Sequence, residues 1–314
     1  MIGTVLRALR RRYMDVTLRS GGRVVRIVER PGLWMAPEAL QALSADLRAV
    51  AARTLGQGDL TYGVFSGDPA RMEQTIVTLV SQPDGRPIAF NALALMQVDT
   101  PPEPTEVLHL GLVMVDPDQR SGGLSWVLYG LTCFLLFVRH QFRPLWVSNV
   151  TQVPAVVGMV SSMFSDIWPG PEAGRRRLSH LLLARRIMAD HRHVFGVGDD
   201  ARFDEARFVI ENAYTGGSDD LKKTWDAAPK HRDGAVNDFC AAQLDYDRGD
   251  DVIQLGRMDL PAIRRYLLRE VPKSAVLSVL LTGAFVGLRR LVLPVLHWAD
   301  GTRAFGVLRP REGR

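Results

Sequence analysis

The chain has 314 residues, of which 46% are hydrophobic and 23% are charged. This composition is typical of a globular protein with a substantial core and excludes general disorder. The formal net charge of +5 favours anionic partners such as nucleotides or lipid headgroups. Cys133 lies in an apolar segment and forms no CxxC with Cys240, which indicates a buried thiol in a reducing compartment.

Residues 1–21 are predicted to be a basic N-terminal extension. Its start, MIGTVLRALRRRYMD, lacks the long apolar region of a secretory signal, so no signal peptide is predicted. We therefore expect a cytoplasmic location. The basic residues also offer a possible peripheral contact with a membrane.

Strand and helix patterns follow one another up to residue 170. In chain order they predict a hairpin over 16–30, a helix over 37–52, strands over 75–82, 87–98 and 107–115, a buried helix over 125–138, a strand over 144–150 and a helix over 153–164. This order predicts an α/β fold with a mixed central sheet, in which antiparallel hairpins precede one parallel crossover.

Residues 171–314 are predicted to be a mostly helical C-terminal extension of unknown role. A basic amphipathic helix is predicted over 175–191. A strand over 252–259 precedes a helix that Asp259 caps. The acidic segment LDYDRGDD, residues 244–251, lacks EF-hand spacing and is interpreted as a solvated turn.

An apolar helix is predicted near 274–298. Its first part, SAVLSVLLTGAFVGL, is fifteen residues without a charge, shorter than the roughly 18–20 residues that cross a bilayer. A buried helix and an interfacial or partner-binding helix are the two alternatives.

The segment VMVDPDQRSGGLSWVLYG, residues 113–130, joins a strand to a helix through a turn with two glycines. The first turn of a helix exposes unpaired N–H groups that bind phosphate if the backbone can approach it. Gly122 and Gly123 would shape such an anion site, Arg120 would add a charge and Ser125 would cap or line it. The alternative is a tight turn that only connects the two elements.

This turn resembles the R/Q-x-x-G-x-G/A motif of the GCN5-related N-acetyltransferase (GNAT) superfamily. Residues 152–164, QVPAVVGMVSSMF, are similar to the second signature of the family, N-x-x-A-x-x-x-Y-x-x-x-G-F. There Gln152 takes the Asn place, Ala155 the Ala place and Phe164 the Phe place. The resemblance implies a GNAT-like domain over residues 22–170.

The resemblance also implies an acyl-CoA-dependent N-acyltransferase that uses acetyl-CoA or a longer acyl-CoA and an amine acceptor. The pantetheine arm of the acyl-CoA would lie between strands 107–115 and 144–150. The thioester carbonyl would contact a backbone N–H near a bulge in 107–115. The residues that it assigns to the cofactor are Val113, Val115, Arg120, Ser121, Gly122, Gly123, Leu124, Ser125 and Gln152.

The catalytic residues are less clear from the sequence. Met159 stands where the family often has a tyrosine that protonates the leaving thiolate. Ser161 or Ser162, with Ser162 as the assigned candidate, or water would then supply the proton. His109, within the strand before the motif, is the candidate general base because its ordinary pKa suits that task.

Three other functions compete with this one. A long-chain N-acyl amino acid or acyl-homoserine lactone synthase would share the chemistry. A non-catalytic GNAT-like module would dock a partner or a membrane. Nucleic-acid binding is not indicated, since no aromatic residues alternate with the basic clusters, and no metal site is predicted from the histidine spacing.

The anion site predicts the effect of Gly123→Val. If the backbone at Gly123 approaches the pyrophosphate of CoA, a valine side chain will exclude it. Calorimetric titration should show loss of CoA binding while circular dichroism shows a folded protein. Retained binding would reject the anion site.

Overall fold

The computed structural model describes residues 12–55, 60–101, 103–119, 124, 126–140, 142–172 and 174–269, with the isolated residues 280, 281, 284 and 288. Arg120, Ser121, Gly122, Gly123 and Ser125 of the predicted anion site lie outside the described residues. So do the first eleven residues and most of the apolar segment 274–298.

Ten strands in this described part form one sheet. They are β1 (Asp15–Ser20), β2 (Arg23–Glu29), β3 (Thr75–Ser81), β4 (Pro87–Val98), β5 (Thr105–Val115), β6 (Leu145–Thr151), β7 (Ser165–Trp168), β8 (Arg202–Asp204), β9 (Val209–Glu211) and β10 (Asp251–Met258). Their order is β1-β2-β3-β4-β5-β6-β10-β9-β8, and β7 also pairs with β10. The β5–β6 pair is parallel, and the other paired strands are antiparallel.

Seven α-helices in the described residues flank the sheet. They are α1 (Pro37–Leu55), α2 (Pro69–Glu73), α3 (Thr132–Arg139), α4 (Pro154–Met163), α5 (Leu178–Asp190), α6 (Gly234–Gln243) and α7 (Leu260–Arg269). A π-helical turn, Trp126–Leu131, leads into α3. Asp259 caps α7 as the sequence predicts, because its Oδ1 accepts a hydrogen bond of 2.9 Å from the N–H of Ala262.

The two faces of the sheet bury different helices. Alternate residues of β4 point to opposite faces, with Phe90 in the cluster that α1 covers and Leu93 in the cluster that α3 and α7 cover. Helix α5 packs farther along the α1 face, against residues of β4, β5 and β10. The sheet is therefore the middle layer of the fold and buries side chains on both faces.

The predicted coarse class, a mixed sheet flanked by helices, is confirmed. However, residues 171–269 are not only a helical extension, because they also supply β8, β9 and β10. Strand β10 lies between β6 and β9, so residues from both sides of the predicted boundary at 170 form one sheet. Likewise, β1 belongs to this sheet although it lies within the predicted N-terminal extension.

A buried ion pair joins β2 to α3. Arg139 Nε lies 2.9 Å from Glu29 Oε2, with side-chain exposures of 0% and 2%. The same carboxylate oxygen accepts a 3.1 Å hydrogen bond from the N–H of Met14, and Arg139 donates one of 2.9 Å to the carbonyl of Arg12. The charges of this pair thus compensate each other away from water.

Arg139→Met tests this compensation. Removing the guanidinium takes this cation away from the buried Glu29 carboxylate, so we expect a loss of about 3–5 kcal/mol in the free energy of unfolding. Urea unfolding measures it. The double variant Glu29→Gln, Arg139→Met should recover part of the loss, and a single variant as stable as the wild type would contradict this account.

Candidate functional site

Strands β5 and β6 are paired only at one end. Their parallel pairs are Val107 with Trp146, Leu108 with Val147 and His109 with Ser148. Beyond these pairs, β5 follows β4 as far as Val115, and β6 follows β10 as far as Thr151. The two strands therefore diverge, and a gap opens between residues 110–115 and 149–151.

A β-bulge in β5 lies where the gap begins. Ala92 of β4 pairs with Leu112, whereas Ala94 pairs with His109, so β5 has one residue more than its partner there. A Cβ on Gly111 would lie 2.3 Å from the carbonyl oxygen of Ala92. Any residue other than glycine would therefore clash there. A bulge leaves backbone polar groups outside the strand ladder, where another molecule can reach them.

The gap forms part of a cavity of about 370 Å³. Its apolar walls come from both diverging strands and from α4, and include Leu110, Val113, Val150, Val156 and Met159. Such a mostly apolar cleft with a few polar groups is the usual form of a small-molecule site.

His109 lines this cavity but is poorly suited to accept a proton. It is 3% exposed, its Nδ1 shares a 3.1 Å hydrogen bond with Ser148 Oγ, and its ring centroid lies 5.1 Å from that of Phe195. Burial lowers the pKa of His109 to about 4, because the charged imidazolium is poorly solvated there. The structure thus brings the predicted base to the cavity as a neutral imidazole.

Ser162 is not brought to the cavity. Its side chain is exposed on α4, and its hydroxyl donates a 2.9 Å hydrogen bond to the carbonyl of Met159. Ser161 is also used elsewhere, since its Oγ accepts a 3.1 Å hydrogen bond from Gln254 Nε2. Neither serine is among the residues that line the cavity.

The structure describes four of the predicted cofactor residues, and they lie in different surroundings. Val113 lines the cavity. Val115, at the end of β5, and Leu124, at the start of the next turn, pack against the core on the α3 face. Gln152 is fully buried between two lining residues, Thr151 and Val153.

The amide of Gln152 is notable because neither its nitrogen nor its oxygen has a hydrogen-bond partner among the described residues. The backbone carbonyl of Gln152 accepts a 2.7 Å hydrogen bond from the hydroxyl of Tyr246. An unsatisfied buried amide costs about 1–3 kcal/mol. Because Gln152 does not itself line the cavity, its role in cofactor binding stays a prediction.

The sequence interpretation missed the most unusual group of the cavity, Asp251. The segment 244–251 is a solvated turn only in part, because Asp247 is exposed whereas Asp250 and Asp251 are 0% and 5% exposed. Arg248 holds Asp250 with two hydrogen bonds of 2.7 Å, one from Nε to Oδ1 and one from Nη2 to Oδ2. Asp251, in contrast, lines the cavity.

Two tyrosines lie in the surroundings of Asp251. Its Oδ1 accepts a 2.8 Å hydrogen bond from the hydroxyl of Tyr214, and Tyr62 lines the same cavity. Burial raises the pKa of Asp251 to about 7, and the charge of Asp250 adds to this, while the Tyr214 hydrogen bond opposes it. The only sequence signal was the acidic run itself, which does not distinguish a buried carboxyl from an exposed one.

Comparison with models of known protein families gives no match, and comparison with curated proteins gives no significant one. The interpretation of the cavity therefore depends on its geometry and on the motif resemblance.

In the part of the chain that the structure describes, no helix combines the length and the apolar character needed to cross a membrane. No group of three or more His, Cys, Asp or Glu side chains in these residues is arranged to hold a metal ion.

The raised pKa of Asp251 predicts how stability depends on pH. A carboxyl whose pKa is raised in the folded state binds its proton more tightly there, so stability falls as pH rises from its ordinary pKa of 3.8 towards about 7. At about 1.4 kcal/mol per unit, this ionisation costs the folded protein roughly 4 kcal/mol at most. Asp251→Asn should remove the cost, so its stability relative to the wild type should increase between about pH 4 and pH 8.

Urea unfolding over this pH range measures the effect. Asp247→Asn is the matched control, since Asp247 lies in the same segment but is exposed. A difference between Asp251→Asn and wild type that does not change with pH would contradict the raised pKa.

Proposed function

We propose that the protein is an acyl-CoA-dependent N-acyltransferase of GNAT-like fold. The observation that carries this proposal is the divergence of β5 and β6 around the bulge at Gly111, with the cavity between them. The motif resemblance implies a gap and a bulge at this place for the pantetheine arm and the thioester. The geometry therefore supports an interpretation that was first made from residues 120–125 and 152–164.

The cavity offers suitable contacts to an acyl-CoA substrate. Val113 and Val150 supply apolar walls from the two strands, and Val156 and Met159 supply them from α4. A pantetheine arm needs a narrow cleft of this kind, and its amides can bond to backbone groups that the diverging strands leave unpaired. The N–H groups near the bulge would stabilise the negative charge that develops on the thioester oxygen.

The cavity also contains a hydroxyl group that can donate the proton that Met159 lacks. Tyr129, in the π-helical turn after the glycine motif, lines the cavity together with Met159. Its pKa is raised by burial and by the nearby Cys133, so Tyr129 is a neutral phenol at ordinary pH. We assign to it the role of proton donor to the leaving thiolate.

Calorimetric titration with CoA, acetyl-CoA and a long-chain acyl-CoA tests the proposal. We expect a single site with a dissociation constant on the order of micromolar. Val156→Phe should abolish binding, because the larger ring fills the cleft beside Met159. The chain-length preference separates a short-chain acyltransferase from a long-chain N-acyl amino acid synthase.

Ser162→Phe is the matched control on the same helix, since Ser162 is exposed. It should bind as the wild type does. The proposal fails if the wild type binds none of the three compounds, or if Val156→Phe binds them unchanged. Binding without turnover of any amine would instead favour a non-catalytic module.

A further inference from the structure

Asp251 is a carboxyl group of the cavity that the proposed function has not yet used. It is the first residue of β10 and pairs with Ile210 of β9, while the next residue, Val252, pairs with Thr151 of β6. This register places Asp251 beside the end of β6, on the side of the gap opposite β5. An acyl group held at the bulge would therefore be approached across the cavity from the side of Asp251.

The partners of Asp251 leave it able to bind a cation. Tyr214 donates one hydrogen bond to Oδ1, and among the residues that the structure describes no Lys, Arg or His side chain forms an ion pair with Asp251. Its neighbour Asp250 has such a partner in Arg248. A carboxyl that is buried, faces a cavity and has no cation is unusual, because burial of a charge normally requires one.

We propose that Asp251 binds the ammonium group of a primary amine acceptor and removes one of its protons. This inference depends on the proposed acyltransferase function. The acceptor would bind beside Asp251 and the aromatic rings of Tyr62 and Tyr214, since aromatic rings also attract cations. The acceptor class is thus a primary amine that is positively charged in water.

The chemical step is balanced without any additional reagent. The Asp251 carboxylate takes a proton from R–NH₃⁺ and leaves R–NH₂, whose lone pair attacks the thioester carbon. The C–N bond forms, the C–S bond breaks, and the second nitrogen proton is lost as the thiolate of CoA gains one. Asp251 then releases its proton to solvent, and the products are an amide and free CoA.

Several ionisable groups surround Asp251 and set its proton affinity. Asp250, on the same strand, raises the pKa of Asp251, while the hydrogen bond from Tyr214 lowers it. Tyr62 and Tyr246 also interact with Asp251, and burial raises the pKa of both phenols, so they are neutral near pH 7. The result, a pKa of about 7 for Asp251, suits a general base better than the value of about 4 for His109.

Lys223 and Arg71 also line the cavity. Arg71 is paired with Asp68 at 3.3 Å. Both are basic side chains, which donate hydrogen bonds and offer no acceptor for a proton. Asp251 is therefore the lining residue that is best placed to take the proton.

Steady-state release of CoA from acetyl-CoA provides the test, with phenethylamine, butylamine and lysine as probe acceptors. We expect the wild type to accelerate release with at least one of them, with an acidic limb near pH 7 in its rate profile. Asp251→Asn should lower the rate at neutral pH by about 100-fold or more. Part of the rate should return at high pH, where the free amine is abundant.

Tyr214→Phe tests the role by a second route. Loss of the hydroxyl removes a hydrogen bond that favours the carboxylate, so the pKa of Asp251 should rise. The acidic limb of the profile should then move to higher pH, which a merely structural role would not cause. Asp247→Asn, with the same charge change at an exposed position of the same segment, should behave as the wild type.

CoA binding by each variant separates the two proposals. If Asp251→Asn binds CoA and turns over as the wild type does, the role of Asp251 is overturned while the acyltransferase proposal stands. If Tyr214→Phe leaves the profile unmoved, or no probe amine accelerates CoA release, the inference is overturned as well. If the wild type binds no CoA compound, the proposed function itself fails.

Discussion

The site depends on a steric constraint at Gly111, where any side chain would clash with the carbonyl of Ala92. The bulge can form only because no side chain occupies that space. The extra residue in β5 coincides with the point where β5 leaves β6, and the cavity lies in the resulting gap. Val113, Tyr129 and Asp251 all line this cavity, so their arrangement depends on the place where the two strands separate.

Two adjacent carboxylates show how the protein handles buried charge in two ways. Asp250 is satisfied by Arg248 and by backbone N–H groups, including that of Asn212 at 3.3 Å. It therefore stabilises the turn that leads into β10. Among the described residues, no cation pairs with Asp251, and its side chain accepts a hydrogen bond from the Tyr214 phenol. Burial without a cation is reflected in its raised pKa. The buried Asp251 carboxylate destabilises the fold, but it can interact with a ligand.

The sequence predicted most of the fold up to residue 170, because apolar periodicity reports directly on burial. The strands 75–82, 87–98 and 107–115 agree closely with β3, β4 and β5. The short strands β7, β8 and β9 were missed, since three or four residues are too few to show a period. Strand β10 was found, but its place between β6 and β9 is a long-range pairing that local pattern does not encode.

The candidate site was predictable in part for the same reason. His109 and Val113 belong to a strand whose position was clear, and both line the cavity. Asp251 was assigned to a solvated turn, because its burial depends on Tyr62 and Tyr214, which are distant in sequence. Ser162 was assigned from helical spacing alone, which does not reveal which side of α4 faces the gap.

The place of β10 in the sheet has a consequence for how the protein folds. Val252 pairs with Thr151, so closing this contact brings together residues about one hundred positions apart, which makes it a slow, high-contact-order step. Until residues 251–258 have been synthesised, β6 has an open edge that is able to pair with other chains. Asp251 belongs to β10, so its side of the cavity is complete only once β10 has paired with β6.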